Sequence, residues 1–211
     1  MKVIIFDMDG TLIDSQYDIT ISVNHVREEH YGLEPLSSAF IVEAINRHQR
    51  NLPELFYGTA VYHEHDRDLF EAHYHEQCIQ NPRLYDGVEA LLQHLSSEKV
   101  KLAVATNAPG KFAKRMLSHL GVADHFSHII GADMVEKPKP DRAMLSHILD
   151  SFGFHHGSDR AWMIGDNSKD IEAALNAGIH SVFVTWGFSS EGKGDHVIEK
   201  PHKLLKIIAS E

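Results

Sequence analysis

Five short runs along the chain are apolar throughout rather than alternating. They are Val3-Ile4-Ile5-Phe6, Leu102-Ala103-Val104-Ala105, His128-Ile129-Ile130, Trp162-Met163-Ile164 and Val182-Phe183-Val184. Continuous apolar runs of this length suit strands covered on both faces. Between them apolar residues recur at helical spacing. Residues 86–95 read as a helix, with Asp86 as N-cap and Glu89 in the capping-box position. Phe112, Met116, Leu117 and Leu120 share a helical face that stops at Gly121. Residues 143–152 form the next helix, ending near Gly153. Ile171, Ala174 and Leu175 follow, ending at Gly178, and Leu204, Leu205 and Ile208 mark the last. Strand and helix alternate from Tyr85 onward. That order predicts an α/β fold: a doubly wound, Rossmann-like parallel sheet.

The interval between the first two strands behaves differently. No second strand arrives for nearly a hundred residues, and Ile19-Val23-Val26, Phe40-Ala44-Ile45 and Leu69-Phe70-His73 have helical spacing. The expected organisation is a core of residues 1–13 and 85–211 with a small helical domain, 14–84, inserted into it. The Gly-rich stretch 187–194 reads as a surface loop.

Charge and composition narrow the partners. The formal net charge is -10. Such a surface repels nucleic acid and anionic membrane but permits a small anion in a locally positive pocket. Cys78 is the single cysteine, so no intrachain disulfide can form, and it reads as a buried small residue. The N-terminus shows no signal-peptide pattern and no run of 18 apolar residues occurs. A cytoplasmic protein, monomer or homodimer, is expected.

Candidate chemistry gathers at the carboxyl ends of the predicted strands, where open α/β sheets place their ligands. The first strand ends in Asp7-Met8-Asp9-Gly10-Thr11, the second in Thr106-Asn107, and the fourth in Gly165-Asp166-Asn167-Ser168-Lys169-Asp170. Clustered carboxylates repel one another unless a cation joins them. Hard oxygen donors suit magnesium, which keeps some waters and bridges to a substrate phosphate. A lysine of Glu136-Lys137-Pro138-Lys139-Pro140-Asp141 would balance the charge.

In order and spacing these segments resemble the four motifs of the haloacid-dehalogenase-like hydrolase superfamily. Asp7-Met8-Asp9-Gly10-Thr11-Leu12 matches its D-x-D-G-T pattern, and Thr106, Lys137 and residues 165–170 match the second to fourth motifs. The phosphoglycolate-phosphatase-like branch, which carries a helical cap where residues 14–84 lie, is most similar. The resemblance implies a magnesium-dependent phosphatase acting on a small phosphate monoester through an aspartyl-phosphate. Asp7 would be the nucleophile and Asp9 the acid and base. Thr106 and the Asn107 backbone N–H would hold phosphate oxygens, aided by the N-terminus of the following helix. Lys137 would neutralise the transferring group. Magnesium would sit on Asp7, Asp9 and Asp166, with Asp170 in or just behind that shell. The family pattern places its lysine before the first proline, which favours Lys137 over Lys139.

Plainer readings stand beside these. Asp170 could be a first-turn helix acid and Thr106 an N-cap. Arg47, His48 and Arg50 form a cationic cluster where related caps read substrate; Arg47 and Arg50 are the candidates, against a solvated helix end. His63-x-His65 and His73-x-His75 invite a zinc reading, but a spacing of two does not put both rings on one helix face. Asp9 argues against a dehalogenase, since family dehalogenases lack that second aspartate. No lysine lies between Lys2 and Lys99, which leaves no cap lysine for phosphonate cleavage. A phosphomutase shares the Asp7–Asp9 pair. A catalytically silent regulatory or binding protein is the reading from another class.

Overall fold

The computed structural model describes residues 1–47 and 51–210. Two compact units divide the chain: Met1–Asp14 with Leu84–Glu211, and Ser15–Arg83.

The first unit is built on a six-stranded sheet. Its strands are β1 (Lys2–Phe6), β4 (Lys101–Ala105), β5 (His128–Ile130), β6 (Arg160–Gly165), β7 (His180–Val184) and β8 (His196–Ile198), in the order β5-β4-β1-β6-β7-β8. Every pairing is parallel. Ile4 of β1 lies opposite Leu102 on one side and Trp162 on the other, so the first strand is the sheet's centre. The chain winds outward from β1 through β4 to β5, then returns to the far side of β1 with β6. The order reverses between β1 and β6, the crevice at which doubly wound sheets bind ligands.

Helices cover both faces, and the pleat decides which residues meet them. Val3, Ile5, Ala103, Ala105 and Met163 share one cluster with Met144, Leu145 and Ile148 of α7 (Ala143–Ser151) and Ala173 and Ala174 of α8 (Ser168–Ala177). Phe6, one residue off that set, meets Phe126 edge-on with ring centroids 6.3 Å apart. The helices α5 (Val88–Ser97), α6 (Gly110–His119) and α9 (Lys203–Ser210) complete the unit.

Two local expectations are corrected. Helix α5 begins at Val88, not Asp86. Gly87 is its N-cap at φ 85°, and no side chain caps it. A turn closed by Val88 N–H on Tyr85 O (3.0 Å) carries the chain past Asp86 before the helix starts. The stretch after β7 is not simply a surface loop, because its first residues, 185–189, are half-buried.

The second unit is helical: α1 (Gln16–Tyr31), α2 (Ser38–Asn46), α3 (Leu52–Tyr57) and α4 (Glu64–Gln77). Val23, Val26, Ile41, Ala44, Phe56 and Tyr57 form its core. Among the described residues, its buried charged side chains are tied down. Asp18 accepts from the Gln77 amide, the Asn81 amide and Asn81 N–H at 2.7–3.1 Å. Arg27 donates to the carbonyls of Glu34 and Phe56. Asp66 accepts from Tyr31 Oη at 2.6 Å and pairs with His30 Nδ1 at 2.5 Å. Two-residue strands β2 (Ile13–Asp14) and β3 (Arg83–Leu84) pair as a separate ribbon. Among the described residues no helix is long and apolar enough to cross a membrane.

Candidate active site

Asp7 follows the last residue of the central strand, and its N–H donates to Ile164 O of β6 at 2.8 Å. The ladder therefore runs one residue beyond Phe6 and fixes where the Asp7 side chain starts. The next residues turn at once. Leu12 and Ile13 N–H both reach back to Met8 O at 2.9 Å, and Gly10 stands at φ +84°. Only glycine fits at position 10. The backbone is left-handed there, and a Cβ would run into the Asp166 carboxylate. Asp9 is half-buried in this turn and bridges to Ile13.

After the neighbouring strand β6, Asp166 lies in the segment leading into α8 and Asp170 in that helix's first turn. Asn167 caps that helix, accepting from Lys169 N–H at 3.1 Å, and Asp170 Oδ2 accepts from Asn167 N–H at 3.1 Å. Asp170 thus is the first-turn acid of a capping box with one oxygen, and turns the other toward Asp7's side of the sheet. Asp166 is held by the chain after β7: Phe188 N–H donates to its Oδ2 at 2.6 Å and Ser189 N–H at 3.4 Å. Thr11 Oγ1 lies 3.5 Å from Oδ1. The Trp186 indole donates to Thr11 O at 3.0 Å, which joins this segment to the Asp7 turn. Gly187 lies so close that a Cβ there would collide with Gly10 O and Asp166.

The lysine at the centre is Lys139. Its Nζ is 2.7 Å from Asp7 Oδ1 and 2.6 Å from Asp170 Oδ1, and the residue is 3% exposed. Lys137 is exposed. The expectation that Lys137 faces the nucleophile is therefore corrected in favour of Lys139. The Asn107 side-chain amide grips the Lys139 backbone: Nδ2 donates to Lys139 O at 2.9 Å and Lys139 N–H donates to Oδ1 at 3.0 Å.

Thr106 is buried at the end of β4, and its Oγ1 accepts from Ala108 N–H at 3.1 Å. It is not an N-cap, because α6 starts at Gly110 after Pro109. That bond uses one lone pair of the hydroxyl and leaves its proton to donate. The first N–H of α6, on Gly110, donates to Asp133 Oδ1 at 2.7 Å. That donor of the helix is thereby satisfied within the protein.

Asp7, Asp166 and Asp170 each offer a carboxylate oxygen within 4.8 Å of the others, and all three are buried. Among the described residues this is the one group of three or more acidic, histidine or cysteine side chains that converge so. Burial first, then the neighbouring Asp7 and Asp170 charges, push the Asp166 carboxyl well above the ordinary range. Burial likewise raises Asp170 to about 6, although Lys139 opposes the shift. Burial disfavours the Lys139 ammonium, but the Asp170 and Asp7 carboxylates outweigh it and raise its pKa above the usual lysine value. Three carboxylates against one ammonium leave two negative charges, which one divalent cation would balance. The donors are all hard oxygens, so the residues present fit magnesium.

Arg47 is exposed, and its Nη2 pairs with Glu43 Oε1 at 2.8 Å. Arg50 and His48 fall outside the described residues. His63, His65 and His75 are exposed, whereas His73 stacks on His25 with centroids 4.0 Å apart and bonds Ser22 Oγ at 2.9 Å. Cys78 is buried. Sequence reasoning missed the Asn107 amide, Trp186 and Gly187; a Trp-Gly pair directly after an apolar strand was the available signal for the last two.

The chain is similar to known proteins. A phosphoglycolate phosphatase of Rhodospirillum rubrum is 32% identical over 200 residues, spanning 90% of this chain and 82% of that protein. An N-acetylmuramic acid 6-phosphate phosphatase of Pseudomonas aeruginosa is 27% identical across 99% of this chain and 95% of its own. The crystal structure of a predicted phosphoglycolate phosphatase from Haemophilus somnus superposes with a TM-score of 0.83 at 26% identity, covering 99% of this chain and 98% of that one. The profile of the haloacid dehalogenase-like hydrolases matches residues 4–184, and the chain belongs to that family.

Proposed function

We propose that this phosphatase hydrolyses a small phosphate monoester with magnesium, through an aspartyl-phosphate on Asp7. The observation that carries the reading is the placement of Lys139 Nζ between Asp7 and Asp170, with Asp166 completing the acidic group at the switch point of the sheet. The Lys139 ammonium holds the Asp7 carboxylate in place within a buried site.

Asp7 attacks phosphorus; the new Asp7 O–P bond forms as the bond to the ester oxygen breaks, and Asp9 gives that leaving oxygen its proton. Asp9, now a carboxylate, then takes a proton from the water that attacks the same phosphorus. The Asp7–phosphate bond breaks, inorganic phosphate leaves and both aspartates are restored. Thr106 donates its hydroxyl proton to a phosphoryl oxygen, joined by the Asn107 backbone N–H. Lys139 offsets the charge on Asp7 and on the group in transfer. Magnesium, held by Asp7, Asp166 and the Asp9 carbonyl with Asp170 beside them, would polarise the phosphoryl oxygens and cancel the excess negative charge.

Two relatives of similar likeness carry the names of different substrates, so the shared core does not select one. Phosphoglycolate is the first candidate, and the protein is proposed to act in the cytoplasm. The test is a panel of phosphate monoesters assayed with magnesium, with rapid quenching to trap phosphoenzyme. One inorganic phosphate per alcohol, and label on Asp7 that Asp7→Asn abolishes, is expected. Transfer of the phosphoryl group to a second sugar hydroxyl would instead make the protein a phosphomutase, and turnover of no ester a silent binding protein.

A further inference from the structure

The Lys139 side chain has four rotatable carbons between its backbone and its charge, so something must decide where the ammonium stands. The two hydrogen bonds from the Asn107 amide, one to the Lys139 carbonyl and one from its N–H, hold that residue's backbone at both of its polar groups. No other neutral side chain of this length offers a donor and an acceptor side by side. Two further stitches tie the same loops: Ala132 N–H donates to Ala108 O at 3.1 Å, and Gly110 N–H to Asp133 Oδ1. Gly131 and Gly110 approach so closely that a Cβ on Gly131 would strike the Gly110 backbone. The segment carrying Lys139 is thus docked on the segment carrying Thr106, and Asn107 is the side chain at the join nearest the ammonium.

We propose that Asn107 is a positioning residue, whose side-chain amide sets the turnover rate by fixing Lys139 against Asp7 and Asp170. The proposal rests on the reading of Lys139 as the residue that neutralises the nucleophile. It assigns the amide a task separate from the Asn107 backbone N–H, which is left for the phosphate. Removing the amide leaves the ammonium present but misplaced, and a displacement of about 1 Å costs on the order of 10²-fold in rate.

The experiment compares Asn107→Ala, Lys139→Ala and the double variant with the magnesium-loaded enzyme, measuring kcat and KM separately. In parallel, lysines of each folded variant are acylated and read by peptide mass spectrometry. Asn107→Ala should lower kcat by about 10²-fold with KM changed less than about threefold. Lys139→Ala should lose about 10²–10³-fold. The double variant should be no slower than Lys139→Ala, because the amide then has nothing to place. Lys139, protected in the wild type, should become reactive in Asn107→Ala. If that variant does not fold, Asn107→Ser gives the same comparison. Near-wild-type kcat in Asn107→Ala beside an inactive Lys139→Ala would overturn the positioning role alone. So would losses that multiply in the double variant. Wild-type kcat in Lys139→Ala would overturn the reading of Lys139 and the proposal with it.

Discussion

Lys139 Nζ stands 2.6 Å from Asp170 Oδ1, in a site where both side chains are closed to solvent. The same ammonium reaches Asp7, so one lysine holds two carboxylates apart from one another and together with itself. Replacing Lys139 with alanine should therefore reduce kcat by about 10²–10³-fold. Lys137→Ala, at an exposed position, should change it less than about twofold. Steady-state rates of the two variants decide which lysine belongs to the site.

Burial and the neighbouring Asp7 and Asp170 charges push the Asp166 carboxyl up, so Asp166→Asn should raise stability in chelator. It should also erase the response to magnesium. In the wild type, magnesium at about a hundred times its Kd should add about 2.7 kcal/mol. Thermal melts with and without the metal test both, and an equal magnesium response in the two proteins would remove Asp166 from the cation site.

Gly187→Ala should hurt both stability and activity. The added methyl meets the Gly10 carbonyl and Asp166, so the segment must lift and release the N–H groups of Phe188 and Ser189 from the Asp166 carboxylate. Overpacking of this kind costs about 1–3 kcal/mol. Denaturant melts and kcat measured together should fall together.

Burial pushes the Asp66 carboxyl up, but the bonds from Tyr31 and His30 outweigh it and hold its pKa below the ordinary value. A carboxyl depressed on folding stabilises the native state above its unfolded pKa, near 4, and that contribution disappears as pH falls through the folded value. Acidification below about pH 4 should thus weaken the helical unit. Asp66→Asn should cost about 1.5–3 kcal/mol at neutral pH and flatten the acid limb. Unfolding curves as a function of pH measure this directly.

We propose Arg47 and Arg50 as readers of an anionic leaving group. The Arg47–Glu43 pair is a surface i,i+4 contact worth only about 0.3–0.5 kcal/mol, so Arg47 exchanges partners at small cost. Replacing both arginines with alanine should raise KM for an anionic substrate several-fold more than for a neutral aryl phosphate. Equal changes on the two substrates would exclude the role.

The sheet was legible because its strands are buried on both faces and so read as unbroken apolar runs. Strand β8 was not, since it has three residues at an edge and Val197 faces solvent. Helix α3 and the β2–β3 ribbon are too short to show a period. The acidic motifs stood out because turns directly after buried strands put Asp7 and Asp166 at the sheet's carboxyl edge. The lysine did not, since Lys-Pro-Lys-Pro offers two candidates two residues apart. The Lys139 backbone is met by a hydrogen-bonding amide some thirty positions earlier in the chain, a contact with no periodic trace. The Asp86 capping box failed for a related reason: Gly87 takes a left-handed turn that spends the N-cap position on itself.

Asp7 and Lys139 are 132 positions apart, and Asp166 lies further along still. Asp7 therefore leaves the ribosome well before the residues that surround it in the folded site. A nascent chain carries Asp7 on an unpaired strand until β4 and β6 arrive to flank it. Loop-closure entropy must be overcome across that whole span before any of the site exists. Regain of activity on refolding should therefore trail the early helical signal and coincide with amide protection at Ile4 and Ile5, the centre of the sheet.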